Sequence, residues 1–127
     1  MFRSRGMGLV SAIFLILVVT ILVVAISRMV RTSSEAFAQE VLSHKAFLAA
    51  ESGAQLGLNR VFAPAGTGSC TTRNWDLSNS GLNYCQVTVD CRSETVASTT
   101  YYTLQSNGRC EIGSRVAERQ ILVRAQP

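Results

Sequence analysis

The sequence predicts an α+β fold, in which one long amino-terminal helix is covered along its second half by a small antiparallel sheet with two disulfides. Three observations lead there. Eighteen uncharged residues, Leu9 to Ile26, run into a stretch without proline as far as Phe62. Beyond Pro64 the chain breaks into short segments rich in β-branched and aromatic residues. All four cysteines, Cys70, Cys85, Cys91 and Cys110, fall in that second half.

The apolar run is the first element. As a helix it spans about 27 Å at about 1.5 Å per residue, close to a hydrocarbon core of about 30 Å. We assign residues 7–27 to a transmembrane helix. Arg3 and Arg5 precede it, and the positive-inside rule keeps that end in the cytoplasm. Arg28 and Arg31 oppose this orientation, but the cysteine-bearing part makes sense only in an oxidising compartment. Ala36-Phe37-Ala38 has the small-x-small form of a signal-peptidase site. It fails on distance, because Ala38 lies twelve residues past Ile26, beyond two arginines and Glu35.

Residues 28–62 continue the same helix. Good helix formers dominate them, and the only glycines are Gly53 and Gly57. Leu42, Ala46, Ala49, Gly53 and Leu56 recur at three- and four-residue steps, as one buried face would. The helix should run from about Gly8 to Phe62 and stop before Pro64.

Residues 63–127 form the disulfide-containing sheet region. Ala63 to Ser69 reads as a linker, and Thr71 to Asn83 as irregular loop anchored by Trp75 and Leu77. Gln86–Cys91 alternates strictly, Tyr101–Gln105 is rich in strand formers, and Arg119–Arg124 closes the sheet. Asn107-Gly108 supplies a turn. A hairpin across Ser93–Thr100 sets Cys91 near Tyr102 and Cys85 near Gly108 and Cys110. Bridged α-carbons rarely lie more than about 7 Å apart, which favours Cys85–Cys110 with Cys70–Cys91. The sequential pairing, Cys70–Cys85 with Cys91–Cys110, remains open.

Composition excludes several classes of function. The net charge of +4 is small and scattered, so nucleic acid is not an expected partner. The cysteines include no C-x-x-C pair and the sole histidine, His44, is far upstream, so neither a metal nor a cofactor is expected. No nucleophile motif or phosphate loop is present, and we expect no enzyme. His44 reads as a solvated helix residue. Glu51 lies beside the apolar stripe, either paired with Arg60 or a sheet arginine or at the surface. Ser11 and Thr20 should bond back to their own helix carbonyls. Arg109, Arg115, Arg119 and Arg124 read as a solvated strand face, and half of Trp75, Tyr84, Tyr101 and Tyr102 should be core.

Arg5-Gly6-Met7-Gly8-Leu9-Val10 resembles the class III signal sequence of type IV prepilins. Gly8 to Leu15, together with Ala49-Ala50-Glu51-Ser52-Gly53-Ala54-Gln55-Leu56-Gly57-Leu58, is similar to the MshP family of mannose-sensitive haemagglutinin (MSHA) pilus biogenesis, akin to PilX-like minor pilins. The resemblance covers the leader, the whole helix and, more loosely, the sheet. It implies a pilin-like fold and a prepilin leader at residues 1–6. It also implies cleavage by prepilin peptidase between Gly6 and Met7, with N-methylation of Met7. The implied partners are the membrane, that peptidase, other major and minor pilins, and the inner-membrane assembly platform. The implied place is the bacterial inner membrane, with the carboxy-terminal region periplasmic, and afterwards the tip of a cell-surface pilus.

One departure from the family pattern is informative. Major pilins carry glutamate at the fifth mature position, where this chain has Ser11. In the family that carboxylate meets the methylated amine of a neighbouring subunit, and an unpaired charge in lipid-like surroundings is costly. A subunit with Ser11 cannot neutralise a neighbour above it, which fits a priming or tip subunit. Two other readings use the same parts. One is a pseudopilin at the tip of a type II secretion pseudopilus; the other is an uncleaved single-pass periplasmic scaffold.

Overall fold

The computed structural model of the chain describes residues 7–64 and 67–127. The leader residues Arg3, Arg5 and Gly6 lie outside the described residues, as does the side chain of Met7. Among the described residues one α-helix, α1, runs from Met7 to Val61, close to its expected limits. Four strands follow: β1 (Arg73–Asp76), β2 (Cys85–Val96), β3 (Thr99–Ile112) and β4 (Arg115–Ala125). They make one antiparallel sheet in the order β1-β2-β3-β4. The chain divides into two compact units, Met1–Ala38 and Gln39–Pro127.

Within Gln39–Pro127 the second part of α1 packs on one face of the sheet. Its buried residues are Leu42, Ala46, Ala49, Ala50, Gly53, Ala54, Gly57 and Val61, mostly small. From the sheet come Cys85, Val87 and Val89 of β2, Leu104, Ser106 and Cys110 of β3, and Ala117 of β4. The expected stripe is right at Leu42, Ala46, Ala49 and Gly53 but wrong at Leu56, which is 39% exposed. The face turns instead through Ala50, Ala54 and Gly57, because a helix of small residues lets the strands approach its backbone.

Asn107-Gly108 is not a turn. Both residues sit inside β3, where Asn107 pairs with Thr88 and Gln120 and Gly108 with Val87 and Arg119. The glycine serves helix–sheet contact: a Cβ there would fall 2.3 Å from the Ala46 carbonyl oxygen and 2.5 Å from the Ala50 nitrogen. The real β2–β3 turn lies at Ala97 and Ser98, whose φ angles of 49° and 68° suit a tight two-residue hairpin. The hairpin therefore places Cys91 opposite Leu104, not Tyr102, while Cys85 stands directly opposite Cys110.

The segment Thr71 to Asn83 also departs from expectation, since Arg73–Asp76 forms β1 against Gln86–Val89. Four residues with no alternating apolar pattern carry little strand signal; the partner strand β2 recruits them. Trp75 and Leu77 do act as anchors, Leu77 buried and Trp75 packed against the core.

Candidate membrane helix and assembly domain

The functional reading rests on two stretches of one helix with different surroundings. From Gly8 to Val41 every residue of α1 is exposed, including the large apolar side chains of Leu9, Ile13, Phe14, Ile16, Ile21 and Ile26. Its most apolar eighteen-residue window has a mean hydropathy of 3.3. A helix apolar on all sides has no favourable exposure in water, and burial in lipid is the usual solution. Among the described residues this is the one helix long and apolar enough to cross a membrane, and its place near the amino end is compatible with a membrane anchor.

Two polar groups within and just past this run are satisfied inside the helix, as lipid surroundings would require. Thr20 donates its hydroxyl to the Leu17 carbonyl at 2.8 Å, and Ser27 to the Val23 carbonyl at 2.8 Å. Neither leaves a free donor in an apolar medium. Ser11 is an exposed position on the same helix. Beyond the run, Ile26, Met29, Val30 and Phe37 form an open apolar strip with Ser33 and Ser34.

The second unit is built for rigidity. Cys85–Cys110 joins β2 to β3 across a Cα–Cα distance of 4.0 Å, and Cys70–Cys91 ties the segment before β1 to β2 across 5.1 Å. This is the pairing the strand alignment favours; the sequential alternative is ruled out. A slip of two residues in the expected hairpin did not spoil that choice, because Cys85 remained far nearer Cys110 than Cys91 did. At the helix end, the Ser69 amide donates to the Arg60 carbonyl at 3.2 Å and Arg60 Nε donates to Ser69 Oγ at 3.2 Å. The first bond occupies a carbonyl that the last helical turn leaves without a partner. Phe62 meets Tyr102 edge to face, with ring centroids 5.7 Å apart.

Several contacts between helix and sheet were not foreseen. Ser106, fully buried in β3, donates to the Ala50 carbonyl at 2.6 Å. Arg119 Nε donates to Ser43 Oγ at 2.9 Å, and Gln39 Nε2 to the Val116 carbonyl at 3.3 Å. A serine within the alternation Leu104, Ser106, Gly108, Cys110 was the available sign that β3 turns a close-packing face inward. Arg109 pairs with Glu111 at 3.2 Å. His44 is 75% exposed at its side chain, beside Glu40 at 4.0 Å. Glu51 is exposed and forms no ion pair among the described residues. Of the aromatic residues, Trp75 and Tyr102 pack on the core, whereas Tyr84 and Tyr101 face outward.

One open cleft of about 560 Å³ lies between the β1–β2 connection and the end of β3, lined by Asp76, Ser78, Asn83, Tyr84, Arg109 and Glu111 among others. Asp76 accepts from the Ser78 hydroxyl and from the Ser78 amide, the latter at 2.9 Å, which holds the carboxyl below the ordinary carboxylate value. Such a surface can hydrogen-bond a partner. Among the described residues no group of three or more His, Cys, Asp or Glu side chains gathers as metal ligands would. Comparisons with protein-family models, with curated proteins and with solved structures found no significant match to this chain.

Proposed function

We propose that this chain is a minor pilin of a type IV, MSHA-like pilus, which primes assembly or sits at the fibre tip. The observation that carries the reading is the division of one helix. Its first part is bare and apolar on every side, and its second part is packed by a disulfide-braced antiparallel sheet. A subunit that must leave lipid for a bundle of like helices needs the first part. One that must choose its neighbours outside the membrane needs the second.

The mechanism is physical. Prepilin peptidase cuts the bond between Gly6 and Met7, the new amine of Met7 is methylated, and the positive leader stays behind. The apolar helix then passes from the bilayer into a bundle with other pilins on the inner-membrane assembly platform. Its own amine accepts the glutamate of the subunit below, while Ser11 offers no carboxylate to a subunit above. That asymmetry favours the end of a fibre over its shaft, because an uncompensated charge in apolar surroundings is expensive.

The test is coexpression with a prepilin peptidase. The wild-type chain should lose six residues and run faster on a gel, and Gly6→Asp should stay full length. An unaltered size for the wild type would sink the processing step and leave an uncleaved periplasmic scaffold. Copurifying subunits separate a pilus from a type II secretion pseudopilus.

A further inference from the structure

The two disulfides differ in what can reach them. Cys85 and Cys110 are 1% and 0% exposed and belong to the cluster containing Leu42, Val87 and Ala117. Thiol–disulfide exchange requires a thiolate to approach one sulfur, so burial blocks it. Cys70 and Cys91 are both partly exposed. Their bridge also holds something different. From Cys70 to Asp76 the chain runs antiparallel beside β2, yet only Arg73–Asp76 pairs with it by backbone. The rest is fastened by Thr72 Oγ1 donating to Asp90 Oδ1 at 2.8 Å and by the disulfide itself. Arg73, Asn74 and Asp76 are exposed, and Trp75 alone reaches the core.

We propose that Cys70–Cys91 is a redox-sensitive strap on the β1–β2 edge, opened by a dithiol reductant while the helix–sheet core stays folded, and that Cys85–Cys110 is a permanent brace. In the step, one thiolate of the dithiol attacks a sulfur of the Cys70–Cys91 bond and displaces the other cysteine as thiolate. The second thiol of the reductant then attacks the mixed disulfide. A disulfide forms in the reductant, two electrons pass to the protein, and the two protons end on Cys70 and Cys91. The reverse reaction, with a disulfide oxidant, closes the strap. The core keeps Cys85–Cys110 and the Ser106–Ala50 bond; Cys91 and Trp75 pack against its margin, and β1 pairs with Val87 and Val89 at the sheet edge. What loosens is β1, and with it the edge of β2 from Gln86 to Val89.

The experiment treats the full chain, in detergent under native conditions, with dithiothreitol, then alkylates with iodoacetamide and maps the labelled peptides by mass. Label should appear on Cys70 and Cys91 alone, with Cys85 and Cys110 labelled only after denaturant is added. Simultaneous labelling of all four, or labelling of none before denaturation, would overturn the proposal. Hydrogen exchange supplies an independent readout. On reduction, and equally in C70A/C91A, the amides of Arg73–Asp76 should lose protection while those of Leu104–Cys110 keep it. Unchanged protection in β1 would show that the disulfide fastens nothing and refute the strap.

Discussion

Ser106 Oγ lies 2.6 Å from the Ala50 carbonyl oxygen, a buried hydrogen bond sent from the middle of the sheet to the backbone of the helix. Ser106 is 0% exposed, so its hydroxyl has no water to turn to. Replacement by alanine removes donor and oxygen together and leaves Ala50 with the partner its own helix supplies. We expect a loss of about 1–2 kcal/mol, read as a lower midpoint in denaturant with an unchanged slope. A neutral S106A would mean that the contact contributes nothing to holding helix and sheet together.

The glycines facing this contact should rank by what an added methyl meets. At Gly108 it meets helix backbone, which cannot step aside; at Gly53 it falls 2.3 Å from Val87 Cγ2 and 2.6 Å from Ser106 Oγ. At Gly57 it falls 2.6 Å from Leu104 Cδ2, the far end of a flexible side chain. Alanine at Gly108 should cost about 3 kcal/mol, the upper range for overpacking. Alanine at Gly53 should cost less, and at Gly57 least, since alanine regains about 1 kcal/mol of helix propensity at both helical sites. Thermal unfolding of the three variants checks the order, and a mild G108A would contradict the close approach of β3 to α1.

These glycines also mark where the sequence could and could not be read. The strict alternation of Gln86–Cys91 made β2 legible and, with a roughly placed hairpin, was enough to pair Cys85 with Cys110. Asn107-Gly108 misled because the local chemistry of a turn and the requirement for close backbone approach call for the same residue. Only the facing small residues, Ala46, Ala49 and Ala50, distinguish the two, and they lie some sixty positions away. Leu56 misled because three- and four-residue steps from Gly53 lead equally to Leu56 and Gly57, and the close approach of β3 takes the small residue. β1 was invisible because its strand state is imposed by β2. The apolar run was legible as a membrane candidate because hydropathy is a property of the segment itself.

Asp76 gives a pH signature. Its carboxylate is favoured by two donors on Ser78, so its folded value lies below the ordinary carboxylate value. The contribution to stability is therefore complete above the ordinary carboxylate range and disappears as pH falls through the lowered folded value. The Ser78 amide resonance should titrate with a midpoint below that of an unperturbed aspartate, and D76N should abolish that titration. A midpoint at or above the ordinary value would show the turn to be open in solution.

Ser11→Glu probes the proposed position in the fibre. The new carboxylate should be tolerated in processing and anchoring, because the helix around it is unchanged. It should let the subunit neutralise a neighbour above it and so spread from the tip into the shaft, as seen by immunogold labelling. Labelling confined to the tip, as in wild type, would count against the charge argument.

The central claim is that the chain enters the pilin pathway at the bond between Gly6 and Met7. The most direct measurement is the mass of the amino-terminal peptide of the protein purified from native membranes. The account predicts a chain beginning at Met7 and carrying one methyl group. A chain that still begins at Met1 would contradict it and leave a membrane-anchored domain whose helix never leaves the bilayer.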